Sequence, residues 1–159
     1  PRQPVRAIID SRFAVPETAR IFNGEPVWVF TTHLDEAKAA RLLAKNVQLI
    51  VMPEKNGHVD LDAVLAWMGK QQINEVHVEA GPGLNGALLQ AGLLDELLLY
   101  MAPKILGDAQ GLFRLPVLSE LDQAYQFDFF ETQTVTPDLR LRARLQNRWN
   151  ILLNSVVHN

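Results

Sequence analysis

The chain reads as a single three-layer α/β/α domain with a mixed, mostly parallel sheet. Three observations predict it: strand-like and helix-like segments alternate along most of the chain, a glycine-rich turn opens one of the helices, and the C-terminal part ends in two strands joined by a tight turn. At 159 residues, 48% of them hydrophobic, the chain suits one domain spanning 1–159.

Val5-Arg6-Ala7-Ile8-Ile9-Asp10 and Val27-Trp28-Val29-Phe30-Thr31-Thr32 are short apolar runs rich in β-branched residues and bounded by Pro, Gly and polar clusters, the pattern of buried strands. Between Leu34 and Lys45, Ala37, Ala40, Leu43 and Ala44 recur at helical spacing. Val47-Gln48-Leu49-Ile50-Val51-Met52 then gives a strand stopped by Pro53. Asp60 caps a predicted helix carrying Leu61, Val64, Leu65 and Met68, and a strand is expected over Asn74-Glu75-Val76-His77-Val78-Glu79. Such alternation implies helices on both faces of the sheet.

A third helix, with Leu84, Ala87, Leu88 and Ala91 on one face and Gly92 at its end, leads to the strand Leu97-Leu98-Leu99-Tyr100-Met101-Ala102. Tyr125-Gln126-Phe127-Asp128-Phe129-Phe130 and Leu139–Leu145 flank Thr136-Pro137-Asp138 and should pair as an antiparallel hairpin at one edge. In the second of these, Leu139, Leu141, Ala143 and Leu145 alternate with Arg140, Arg142 and Arg144, giving a buried face and a solvated, charged one. The apolar tail from Trp149 to Asn159 is expected to pack.

Charge argues against nucleic acid and anionic membranes as partners, because the formal net charge is only −3. The absence of cysteine removes disulfides and thiolate metal sites and fits the cytoplasm, and no run reaches the length of a membrane span. His77-Val78-Glu79 imitates a zinc-deaminase His-x-Glu but lacks the two cysteines, so no metal is expected. Asp10-Ser11-Arg12 lacks the Gly-x-Ser-x-Gly elbow of hydrolases.

Gly81-Pro82-Gly83-Leu84-Asn85-Gly86 satisfies G-x-G-x-x-G between a predicted strand and a helix. Glycines there let backbone approach a pyrophosphate, and the free N–H groups of the helix start favour its charge. Gly-Pro-Gly is equally a good tight turn, so on pattern alone both readings stand. The turn follows at least three strand candidates rather than the first, and Lys104 lies where the ordinary dinucleotide fold carries an acid. Lys104 would suit a 2′-phosphate or be a surface charge at a strand end.

Val78-Glu79-Ala80-Gly81-Pro82, Gly86-Ala87-Leu88-Leu89, Gly92-Leu93-Leu94-Asp95-Glu96-Leu97 and Tyr100-Met101-Ala102-Pro103-Lys104-Ile105-Leu106-Gly107, with Ile8-Ile9-Asp10-Ser11-Arg12 near the start, occur in an order that resembles the C-terminal reductase domain of the bifunctional riboflavin-biosynthesis deaminase-reductase. The resemblance covers about Val5 to Leu145. It implies a dihydrofolate-reductase-like fold and NADPH-dependent reduction of 5-amino-6-(5-phosphoribosylamino)uracil. It further implies Ser11 and Gly81, Pro82, Gly83, Leu84, Asn85, Gly86 and Ala87 as NADPH contacts, Glu79 as a substrate contact, a deaminase domain in the same polypeptide, and a homodimer. Glu79 has a plainer alternative, a strand-end carboxylate satisfied by backbone N–H groups. Two departures stand out: the family often has Gly at Ala80 and Thr at Gly83. The family's domain also starts upstream of Pro1, so a piece lacking that segment is expected to be incomplete. The competing expectation is a non-catalytic nucleotide-binding or assembly module associated with a deaminase.

Overall fold

A computed structural model describes residues 3–146, and the predicted packing of the Trp149–Asn159 tail lies outside them. The chain divides into two compact units, Pro1–His77 and Val78–Asn159, each with its own sheet.

In the first unit, β1 (Arg6–Ile9), β2 (Val27–Thr31) and β3 (Val47–Val51) form a parallel sheet in that order. Alternation along β2 explains its two-sided burial. Val27 and Val29 face a cluster with Phe13, Phe22, Val47 and the helix residues Ala39 and Leu42; Phe30 and Trp28 join Met52, Val59, Val64, Met68 and Trp67 on the other side. The helices involved are α1 (Glu36–Leu43) and α2 (Leu61–Lys70), so this unit has the expected helix-sheet-helix layering. Trp67 packs edge-on against Trp28 and Phe30 at centroid distances of 4.9 and 5.3 Å.

Both helices begin at aspartates. The Asp35 carboxylate accepts from the Lys38 N–H at 2.8 Å, and that of Asp60 accepts from the Asp62 N–H at 3.0 Å. The buried side of α1 differs from the expected one: Ala39 and Leu42 point inward, whereas Ala37, Ala40 and Leu43 are exposed. Apolar residues occupy so many positions of α1 that two stripes were available, and the cap at Asp35 together with Lys38 lying over the Phe13 ring goes with the second. A short antiparallel pair, β4 (Glu54–Lys55) and β5 (His58–Val59), precedes α2.

The second unit contains α3 (Pro82–Gln90) and a three-stranded antiparallel sheet of β6 (Glu96–Met101), β7 (Phe127–Val135) and β8 (Asp138–Leu145). The hairpin forms as expected, but β8 is central, between β6 and β7, so of the two hairpin strands β7 alone lies at an edge. The central position changes the arginine stripe. Arg140, Arg142 and Arg144 are half-buried rather than solvated, because neighbouring strands on both sides supply Glu96 and Glu131. Arg142 donates from Nε to Glu96 at 2.6 Å and from Nη1 to Glu131 at 2.9 Å, and Arg140 also pairs with Glu131. Arg144 lies 4.1 Å over the Phe130 ring. The hydrogen bonds from Arg140 and then Arg142 hold the Glu131 carboxyl below its ordinary value of 4.5.

One expected strand is not formed. Residues 74–79 make no ladder among the described residues, and Val76 and Val78 are 41% and 42% exposed. The segment joins the two units, and two valines alternating with polar side chains do not define a buried face without a strand beside them.

Candidate functional site

The glycine motif is folded differently from a loop that precedes a helix. Gly81 is the N-cap and Pro82 the first helical residue, so Gly83 and Gly86 lie within α3 itself. Pro at that position is favoured because its missing N–H would have no partner there. The first helical bond runs from the Asn85 N–H to the Gly81 carbonyl at 3.2 Å. By helix geometry the N–H groups of Gly83 and Leu84 therefore point out of the helix end, where the dipole is positive.

The glycines divide by environment. A Cβ added at Gly81 or Gly83 would meet no atom within 4 Å, so the backbone there faces open space that a phosphate could fill. A Cβ at Gly86 would fall 2.1 Å from the Arg114 carbonyl oxygen, so Gly86 permits the close approach of another chain segment. Gly92, with φ +67°, ends the helix in the left-handed conformation. Gly86, Leu88 and Leu89 are buried and Leu84 is half-buried, whereas Ala87 and Ala91, expected on the inner face, are exposed.

Asn85 is engaged within the protein. Its Nδ2 donates to the Ala80 carbonyl at 3.2 Å and to the Leu112 carbonyl at 3.1 Å. The Arg114 N–H donates to the Pro82 carbonyl at 2.8 Å. Nothing local in the sequence marks Leu112–Arg114 as a neighbour of α3; the one clue is a glycine at position 86 with no turn to make.

Glu79 is exposed in the extended stretch just before Gly81, not at the end of a paired strand. Lys104 is an exposed residue following β6, its N–H bonded to the Ala102 carbonyl at 2.8 Å. Its place after β6 in the sequence is what associates it with α3.

Ser11 belongs to the first unit and follows the C-terminal end of β1, the side on which parallel sheets place ligands. Its Oγ accepts from the Val59 N–H at 2.9 Å and keeps a proton to donate. Its carbonyl accepts from the Thr32 hydroxyl at 2.7 Å and the Thr31 hydroxyl at 3.5 Å. Beside it the Asp10 carboxylate accepts from the Val15 N–H at 2.6 Å, which closes the turn through Phe13 and leaves Asp10 a structural group. Sequence reading found Ser11 but not the threonines that fix it.

A depression of about 300 Å³ lined by Asp122, Ala124, Tyr125, Gln126, Leu145 and Gln146 contains none of the predicted site residues. Among the described residues no three His, Asp or Glu side chains gather to hold a metal, and no helix is long and apolar enough to cross a membrane.

Comparison with known proteins gives these features a context. Residues 1–141 match the model of the RibD C-terminal domain, a match that runs through both units. The riboflavin biosynthesis protein RibD of Escherichia coli is 48% identical over 88% of this chain, which spans 38% of that relative. The 5-amino-6-(5-phosphoribosylamino)uracil reductase of Buchnera aphidicola is 33% identical over 88% of the chain and is itself covered over 67% of its length. A structure of Acinetobacter baumannii RibD superposes with a TM-score of 0.75 at 30% identity, covering 89% of this chain and 37% of that one. The fold is thus the dihydrofolate-reductase-like α/β class expected, and the chain belongs to the RibD C-terminal domain family.

Proposed function

We propose that the chain is an NADPH-dependent oxidoreductase that reduces 5-amino-6-(5-phosphoribosylamino)uracil to its ribitylamino counterpart in riboflavin biosynthesis. Its likeness to relatives named for that reaction supports this. The observation in the molecule that carries it is the start of α3, where Gly81 and Gly83 leave the backbone bare in front of outward N–H groups. Those residues, with Pro82, Leu84 and the exposed Ala87, fit the phosphates of a nucleotide. Ser11, through its remaining proton, and Lys104 are each assigned as further candidates for cofactor contact.

NADPH, when bound, supplies hydride to the anomeric carbon of the ring-opened substrate imine, and the imine nitrogen takes up a proton. The chain's own contribution is positioning and electrostatics. The outward N–H groups of Gly83 and Leu84 would hold negative charge without a mobile side chain, and Glu79 is assigned to the polar groups of the substrate. In this reading both units serve one reductase domain. It sits in the cytoplasm, occurs in the same polypeptide as a deaminase domain, and associates as a homodimer. The exposed Ile105, Val117 and Leu121 of the second unit, at 99%, 98% and 90%, supply apolar surface for such association.

The test is Gly83→Ala. With no protein atom in the way, the substitution should raise stability by about 0.5–1 kcal/mol through helix propensity. In the same variant the methyl group stands where the phosphate approaches, and NADPH affinity should fall about tenfold or more. Unchanged NADPH affinity would remove the start of α3 from the cofactor site.

A further inference from the structure

The three helices start in different ways. Asp35 and Asp60 cap α1 and α2 with their side chains, whereas Gly81 makes no such bond at α3. The first turns of α3 also carry Gly83 and Gly86, each costing about 1 kcal/mol of helix propensity relative to alanine. A side-chain cap would occupy the space left for an anion, so this turn has to be held from another direction.

We propose that Leu112–Arg114 is a strap that holds the start of α3 in its anion-accepting shape, and that Asn85 is the positioning residue joining the two. This rests on the assignment of that turn to NADPH phosphate. Three contacts carry it. Asn85 Nδ2 bridges the Ala80 and Leu112 carbonyls, linking the residue before the N-cap to the strap at 3.2 and 3.1 Å. The Arg114 N–H bonds the Pro82 carbonyl at 2.8 Å, on the first helical residue. The Arg114 carbonyl occupies the space over Gly86 that any side chain would need, at 2.1 Å from an added Cβ. All three engage carbonyls, the Asn85 amide or the bare Gly86 backbone, and leave the Gly83 and Leu84 N–H groups outward. Asn85 therefore acts on the cofactor through the backbone it braces, not by touching it.

The experiment combines steady-state kinetics with hydrogen exchange at the Arg114 amide, on the whole chain. Asn85→Ala is expected to raise the KM for NADPH about tenfold, from two lost hydrogen bonds, while kcat and the KM for the uracil substrate stay within about twofold. The Arg114 amide should exchange faster in the same variant. Gly86→Ala, which deletes no polar atom but displaces the strap, should raise the KM for NADPH in the same way. A raised KM in Asn85→Ala with the Arg114 amide exchanging at the wild-type rate would make Asn85 a direct contact and overturn the proposal. A freed Arg114 amide with an unchanged KM would overturn it too. If the wild-type chain does not use NADPH while its Arg114 amide is protected, the cofactor reading fails and the positioning role with it, leaving the strap as a purely structural lock.

Discussion

The two units bury their strands by different means. In the first, a parallel sheet lies between two helices, and Val29, Phe30 and Leu42 are fully buried. In the second, among the described residues, only Leu88, Leu89 and Ala143 are buried apolar side chains, while Phe129 is 65% exposed and one face of the sheet is an Arg-Glu-Phe130 network. Burial of apolar area dominates the first; strand pairing and half-buried ion pairs carry more of the second, and such pairs contribute modestly.

That contrast can be broken most readily in the core. Leu42→Ala should cost about 2–5 kcal/mol in urea denaturation, whereas Phe129→Ala should cost less than about 1 kcal/mol. Equal costs would mean that Phe129 is buried in solution. A smaller effect sharpens the electrostatic half. Because the folded-state pKa of Glu131 lies below its ordinary 4.5, its contribution is complete above that value and is lost as pH falls through the lowered one. Glu131→Gln should therefore flatten the fall of the urea midpoint on acidification, without abolishing it, since Arg41 likewise holds Glu17 below its ordinary value. A slope unchanged from wild type would show that the Arg140-Glu131-Arg142 pairing does not persist in solution.

The same contrast explains what was legible in the sequence. Strands that pack apolar residues on both faces announce themselves as apolar runs, so β1, β2 and β3 are readable to within a residue at each end, although only β2 is largely buried. Asp60 and Gly92 mark helix ends by local chemistry, whereas the Asp35 cap emerged only in the structure. The hairpin turn at Asn56-Gly57, with φ of +55° and +77°, went unread, because the two-residue strands it joins are too short for alternation to show. Non-local facts were not legible. The central place of β8, and hence the half-burial of its arginines, depends on β6, from 38 to 48 residues earlier, arriving in register with Glu96 opposite Arg144. At the site, the pattern marked Gly81 to Gly86 but not their division of labour, because whether a glycine faces open space or Arg114 is decided by a segment far along the chain.

The central claim, that this chain couples NADPH oxidation to reduction of 5-amino-6-(5-phosphoribosylamino)uracil, is tested most directly by following nicotinamide absorbance as that substrate is added to the wild-type chain and to Glu79→Gln. The account predicts substrate-dependent loss of NADPH by the wild type, and in the variant a fall in turnover of about a hundredfold with NADPH affinity nearly intact. Tight NADPH binding by the wild type with no oxidation on adding substrate would contradict it.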